Sequence, residues 1–207
     1  MQSNKGRFIV FEGIDGSGKT TQARMLVEYL QSIGRKAVLT AEPTDKPTGR
    51  ALREALSGKV KKSECQMAVM FVDDRIAHNI SPEDGIRALT EAGVDVVCDR
   101  YYYSTLAYQG QSTDYEWVKA MNLSCPEILV PDACIYVDLL PEQSLERIRK
   151  GRDSVEIYEN VQTLTRVREQ FLSVISDLSE TDKIFVVDGY RTQNEVFENI
   201  KAIVEKI

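Results

Sequence analysis

Short apolar runs punctuate the chain, and between them apolar residues return at every third or fourth position. The runs at 8–11, 37–39, 94–98, 133–137 and 184–187 read as five buried strands. The intervening periodicity predicts helices over 19–33, 49–56, 64–80, 82–92, 103–109, 115–123, 142–149, 155–178 and 194–206. Apolar strands alternating with amphipathic helices predict an α/β architecture whose parallel sheet is covered on both faces. The chain shows no repeat, low-complexity tract or linker, so one domain spanning 1–207 is expected.

Composition narrows the chemistry more than the fold. Hydrophobic residues are 43% and charged residues 28% of the chain, the balance of an ordinary globular protein. A net charge of −6 argues against a broad nucleic-acid-binding surface, which needs clustered cations. Local sites for small phosphorylated ligands stay open. No apolar run approaches the ~20 residues of a membrane span. Residues 1–7 are polar, without the apolar stretch of a signal peptide. The four cysteines, Cys65, Cys98, Cys125 and Cys134, form no C-x-x-C pair and are expected to be reduced, mostly buried thiols of a cytoplasmic protein. His78 is the only histidine, which argues against a His-rich metal centre or a Ser-His-Asp triad.

Gly13, Ile14, Asp15, Gly16, Ser17, Gly18, Lys19 and Thr20 spell G-x-x-x-x-G-K-[ST], with Thr21 next, between a predicted strand and a predicted helix. Glycines let successive N–H groups point inward, and the following helix offers the positive end of its dipole. Lys19 is expected to reach the β- and γ-phosphates of ATP, and the Thr20 hydroxyl to bind Mg²⁺. Chance would produce this string in on the order of one chain in a hundred of this length, without its strand-to-helix context. The motif is shared by kinases, GTPases and motors. No guanine-reading N-K-x-D follows a later strand, which favours a small acceptor kinase.

The predicted strand over 94–98 runs into Asp99-Arg100-Tyr101-Tyr102-Tyr103-Ser104, and then Ala107-Tyr108-Gln109. Ligands of open α/β sheets bind at carboxyl ends of strands. An Asp there can hold Mg²⁺ or its waters, and an Arg can clamp a phosphate. A local Asp–Arg ion pair with tyrosines capping a core is the plainer alternative. Phe71 and Arg75 are four residues apart and share a helix face, suited to stacking on a pyrimidine and donating to its carbonyl, or else a core Phe beside a surface Arg.

Asp-Arg-Tyr-x-x-Ser-x-x-Ala-Tyr-Gln resembles the signature of the thymidylate kinases, and the resemblance covers nearly the whole chain. Segment 8–22 is similar to that family's opening strand and phosphate loop, and 40–49 to its acceptor-phosphate loop. Segment 71–75 is similar to its base-binding helix, 131–138 to its fourth strand and 147–159 to its lid. The resemblance implies a P-loop NTPase fold with a five-stranded parallel sheet, helices on both faces and a short lid. It also implies transfer of a phosphoryl group from Mg²⁺-bound ATP to dTMP, and a homodimer with 64–80 and 103–109 as contact surfaces. By resemblance, Asp99 acts near magnesium, Arg100 holds the acceptor phosphate, and Tyr108 packs on the deoxyribose. Gln109 then lies near the base, Asp15 binds the 3′-hydroxyl, and Phe71 and Arg75 read thymine. Glu42 and Pro43 open the acceptor loop.

Many bacterial members carry an arginine directly before that Glu-Pro, where this chain has Ala41, so acceptor binding is expected to rest on Arg100 with Lys46, Arg50 or Arg53. The cluster Arg147-Ile-Arg149-Lys150-Gly151-Arg152 reads as a solvated helix end or as a lid that delivers an arginine. No basic residue occupies the variable phosphate-loop positions, Gly16 and Ser17. In the thymidylate kinases such members tend to supply the arginine from the lid, so the resemblance implies Arg149 and Arg152 as catalytic cations, with Glu156 and Tyr158 continuing the lid. Adenine contacts are expected near 188–192. A deoxynucleoside kinase and a non-catalytic nucleotide-binding module are the competing readings. The first would need a carboxylate base for a neutral hydroxyl.

Overall fold

The computed structural model describes residues 5–151 and 160–207. Five strands, β1 (Phe8–Glu12), β2 (Ala37–Ala41), β3 (Asp95–Asp99), β4 (Ala133–Asp138) and β5 (Ile184–Asp188), form one all-parallel sheet in the order β2-β3-β1-β4-β5. This is the P-loop NTPase arrangement, with β1 at the centre. In register, Phe11 stands opposite Asp99 on one side and Ile135 on the other.

Alternation sorts the strand residues between two cores. Phe8, Val10, Val96, Cys98, Cys134 and Tyr136 pack beneath α3 (Glu64–Ile80), α5 (Tyr102–Ser112) and α8 (Val161–Leu178). Ile9, Phe11, Val97, Ile135 and Val137 pack on the other face, beneath α1 (Lys19–Ser32) and α9 (Gln193–Val204). The remaining helices are α2 (Pro47–Leu56), α4 (Ile86–Glu91), α6 (Tyr115–Leu123) and α7 (Pro141–Gly151).

Side-chain caps fix the starts of α3, α6, α8 and α9. The Ser63 hydroxyl and the Gln66 side chain form a reciprocal capping box at the start of α3, and Thr192 and Glu195 form another at α9. Asn160 accepts from the Thr163 N–H, so α8 begins at Val161. Residues 155–159 of the expected longer helix lie outside the described residues. α4 starts at Ile86, not at Pro82, because the Asp84 carboxylate is held by the Ser81 hydroxyl and by Lys46, which folds 82–84 into a turn capped by Gly85. Cys98 and Cys134 are buried, but Cys65 is exposed and Cys125 only half-buried, so the expectation of mostly buried thiols holds for two of the four. No helix among the described residues is long and apolar enough to cross a membrane.

The amino end of the sheet is tied by charge. Asp95 is fully buried where β3 begins. It accepts from the Arg7 N–H (2.8 Å) and Nη2 (3.0 Å), and from Arg35 Nε (2.5 Å) and Nη2 (2.7 Å). Burial works to raise its pKa, but the bonds from Arg35 and Arg7 prevail and lower it from 3.8 to about 2. The folded value lies below the unfolded one, so this contribution is complete above 3.8 and is lost as pH falls towards about 2. Asp95→Asn should therefore cost about 2 kcal/mol at pH 7. Urea unfolding at pH 7 and pH 3 should show the gap between variant and parent narrowing at the lower pH. An equal gap at both would contradict this account.

Candidate active site

The carboxyl ends of β1, β2 and β3 converge on one cluster. β1 opens into the glycine-rich loop, where Gly13, Gly16 and Gly18 take φ of 147°, 76° and 96°. A Cβ at Gly13 would stand 2.7 Å from the Val137 carbonyl oxygen, and one at Gly16 would stand 2.8 Å from that of Ser144, so both positions require glycine. α1 then starts at Lys19 behind left-handed Gly18, with no side chain capping its first N–H groups. Unsatisfied donors at a helix N-terminus form a ready site for phosphate oxygens.

Lys19 is buried, with its Nζ 3.4 Å from both the Ile14 carbonyl oxygen and Asp15 Oδ1. Burial and the nearby Arg100 guanidinium lower its pKa, against the pull of Asp15, Asp99 and Glu12. This cation is poised to gain from an added anion. The Thr20 hydroxyl donates to Asp99 Oδ2, while Asp99 Oδ1 is buried without a hydrogen-bond partner. An orphaned carboxylate oxygen beside a threonine hydroxyl fits a divalent cation. Among the described residues no group of three or more His, Cys, Asp or Glu could hold a metal alone. Mg²⁺ typically keeps several waters and takes phosphate oxygens, so one carboxylate and one hydroxyl are a sufficient protein share.

Arg100 follows with φ 72°, the only non-glycine residue at positive φ among the described residues. A left-handed arginine backbone costs on the order of 1–2 kcal/mol, and a surrounding network must hold it there. Its N–H donates to the Phe11 carbonyl (2.9 Å), and its Nη1 donates to Ser104 Oγ (3.0 Å). Its Nη2 donates to Asp15 Oδ1, and the guanidinium lies 5.7 Å from the Tyr108 ring centre. Burial works against this charge, but the nearby carboxyl groups of Asp15, Glu12 and Asp99 favour it, and Arg100 stays protonated. Asp15, which burial would raise, is held below its ordinary value by Arg100 and Lys19. Burial lifts the Tyr108 phenol to about 12, so it is neutral at pH 7. Tyr108 and Gln109 are both half-buried on α5.

The loop expected to serve the acceptor leaves β2 at Glu42, whose N–H bonds the Asp99 carbonyl (3.1 Å). The three cations expected to supplement Arg100 are each already engaged within the protein. Arg53 donates to the carbonyls of Thr44 (2.7 Å) and Pro43 (2.5 Å), Arg50 to that of Asp45 (2.8 Å), and Lys46 pairs with Asp84 (2.6 Å). Below the loop, Arg75 is 1% exposed and donates to Glu42 Oε2 (2.6 Å), Asn122 Oδ1 (2.5 Å) and Thr105 Oγ1 (3.1 Å). Glu42 Oε1 meets His78 Nδ1 at 3.0 Å. Phe71, one turn earlier on α3, is half-buried. A cavity of about 490 Å³ lies beside this loop and reaches Thr20, Ala41, Lys46, His78 and Asp99.

α7 packs on the phosphate loop. The Ser144 hydroxyl donates to the Asp15 carbonyl, and Arg147 donates to the carbonyls of Ser17 (3.3 Å) and Gly189 (2.8 Å). Arg147 is thereby anchored, while Arg149 is exposed further along the helix. Arg152, Glu156 and Tyr158 lie outside the described residues. Sequence reasoning missed Ser144 and Glu12. Glu12 had a signal in the pattern, as a lone carboxylate completing a strand whose every residue is buried.

Comparison with known proteins bears on the same segments. The sequence model described as Thymidylate kinase matches residues 11–200. A probable thymidylate kinase of Methanococcus aeolicus is 36% identical over 208 residues, covering 97% of this chain and 95% of its own. The thymidylate kinase of Sulfurihydrogenibium sp. is 34% identical, with 98% and 97% covered, and that of Leptospira interrogans serovar copenhageni is 33% identical, with 98% and 96% covered.

Proposed function

The chain belongs to the thymidylate kinase family, and from that membership we propose that it transfers the γ-phosphoryl group of ATP to the 5′-phosphate of dTMP, yielding ADP and dTDP. The observation that carries this reading is the bridge between two segments far apart in sequence. Thr20 of the phosphate loop bonds Asp99, and Asp15 of the same loop bonds Arg100. A donor held by the loop and an acceptor held by Arg100 would then meet at one place.

In the proposed reaction a dTMP phosphate oxygen attacks the γ-phosphorus in line, and the bond to the β,γ-bridging oxygen breaks as ADP leaves. The second pKa of a phosphate monoester is ~6, so the nucleophile is already mostly dianionic at neutral pH and needs no general base. Lys19 and the α1 N–H groups bind the donor phosphates, and Arg100 orients the acceptor. Asp15, released from Arg100 by the arriving phosphate, accepts from the 3′-hydroxyl, with Tyr108 against the sugar and Phe71, Arg75 and Gln109 around the base. Thr20 and Asp99 would hold Mg²⁺, which neutralises developing phosphate charge when bound. Residues 147–159 act as the lid, with Arg149 or Arg152 reaching the transferred group.

The reading carries a cytoplasmic homodimer as well. Tyr103 to Ala107 are buried within the chain's own core, so α3, which exposes Val69 and Ile80, is the better contact surface. The activity itself is tested by coupled ADP release with Mg-ATP, offering dTMP and thymidine separately. Turnover is expected with dTMP and not with thymidine, because thymidine lacks the phosphate that Arg100 would hold and whose oxygen is the nucleophile. Turnover with thymidine alone would overturn the proposal.

A further inference from the structure

Glu12 closes β1 immediately before the phosphate loop and has no exposed surface. Its Oε1 accepts the N–H groups of Tyr101 (2.8 Å) and Ser104 (3.1 Å), and its Oε2 accepts the Ser104 hydroxyl (2.6 Å). Ser104 Oγ accepts in turn from Arg100 Nη1 (3.0 Å). Tyr101 is the N-cap of α5 and offers no capping side chain, so Glu12 supplies from another strand what a capping residue would. That task needs only Oε1. The bond from Ser104 to Oε2 and the relay onward to Arg100 lie beyond it.

We infer that Glu12 is a positioning residue for the acceptor phosphate: through Ser104 it sets where the Arg100 guanidinium stands, and so couples the phosphate-loop strand to the group that receives the second substrate. This rests on the reading of Arg100 as the acceptor-phosphate clamp. The carboxylate is held against strong desolvation. Burial raises Glu12 to about 7 even though Arg100, the Ser104 hydroxyl and the two N–H groups favour its ionised form.

Two variants separate positioning from capping. Glu12→Gln keeps one oxygen for the α5 N–H groups, but its amide NH₂ donates to Ser104 Oγ and competes with Arg100. Ser104→Ala removes the relay and leaves the backbone bonds intact. Each should raise the KM for dTMP by roughly tenfold while leaving the KM for Mg-ATP and the urea midpoint close to those of the parent. In an Arg100→Ala background neither should raise it further, because the residue they position is gone. Unchanged dTMP KM in both variants, an equal rise for ATP, or an undiminished effect in the Arg100→Ala background would each overturn the inference while leaving the clamp in place. If Arg100→Ala alone leaves the dTMP KM unchanged, the clamp itself is wrong and the inference falls with it.

Discussion

Lys19→Ala is expected to lower turnover on the order of 10³-fold or more while the protein stays folded. The effect is large because catalysis of this kind consists of positioning and charge neutralisation, with no base or covalent step to share the load. The fold should not suffer. Lys19 sits where burial and Arg100 disfavour its charge, and its bonds to Ile14 and Asp15 are long at 3.4 Å. Losing it relieves an unfavourable buried cation as much as it removes contacts, so the thermal midpoint should move little. Steady-state ADP release and a thermal melt on the same preparation check both halves. Near-parental activity in a folded variant would remove the phosphate loop from the mechanism.

Asp99→Asn should cost on the order of 10²-fold in turnover and raise the Mg²⁺ concentration needed for half-maximal rate. Asparagine has nearly the same shape and keeps an oxygen for the Thr20 hydroxyl, so the local packing survives. What it loses is the negative charge on an oxygen that is buried and unpartnered. Magnesium titrations of parent and variant would read the shift. An unchanged magnesium dependence would detach Asp99 from the metal.

The two-faced burial of the strands made the sheet legible, since runs such as 8–11 leave no polar side for solvent. α3 was legible to the residue because its N-terminal signal, Ser63 with Gln66, is local. α4 was not, because the turn before it is held by Lys46 from another loop as well as by the local Ser81 hydroxyl. The same division runs through the site. Lys19 and Thr20 could be named from the phosphate-loop motif, and Asp99 and Arg100 from a strand-end position joined to the family resemblance. The engagement of Arg50 and Arg53 by the carbonyls of 43–45, and of Lys46 by Asp84, could not, since backbone carbonyls and partners distant in the chain leave no mark in a sequence. The role of Glu12, unlike its place in the strand pattern, stayed hidden for a topological reason. Its partners, 89 and 92 residues away, become neighbours only when β3 pairs with β1.

The most direct test of the phosphoryl transfer is to follow the label from γ-³²P-ATP after incubation with dTMP and magnesium, separating products by chromatography. Label in dTDP, absent when dTMP is omitted, is the predicted result. Label appearing only as inorganic phosphate, or transferred to thymidine but not to dTMP, would contradict the account.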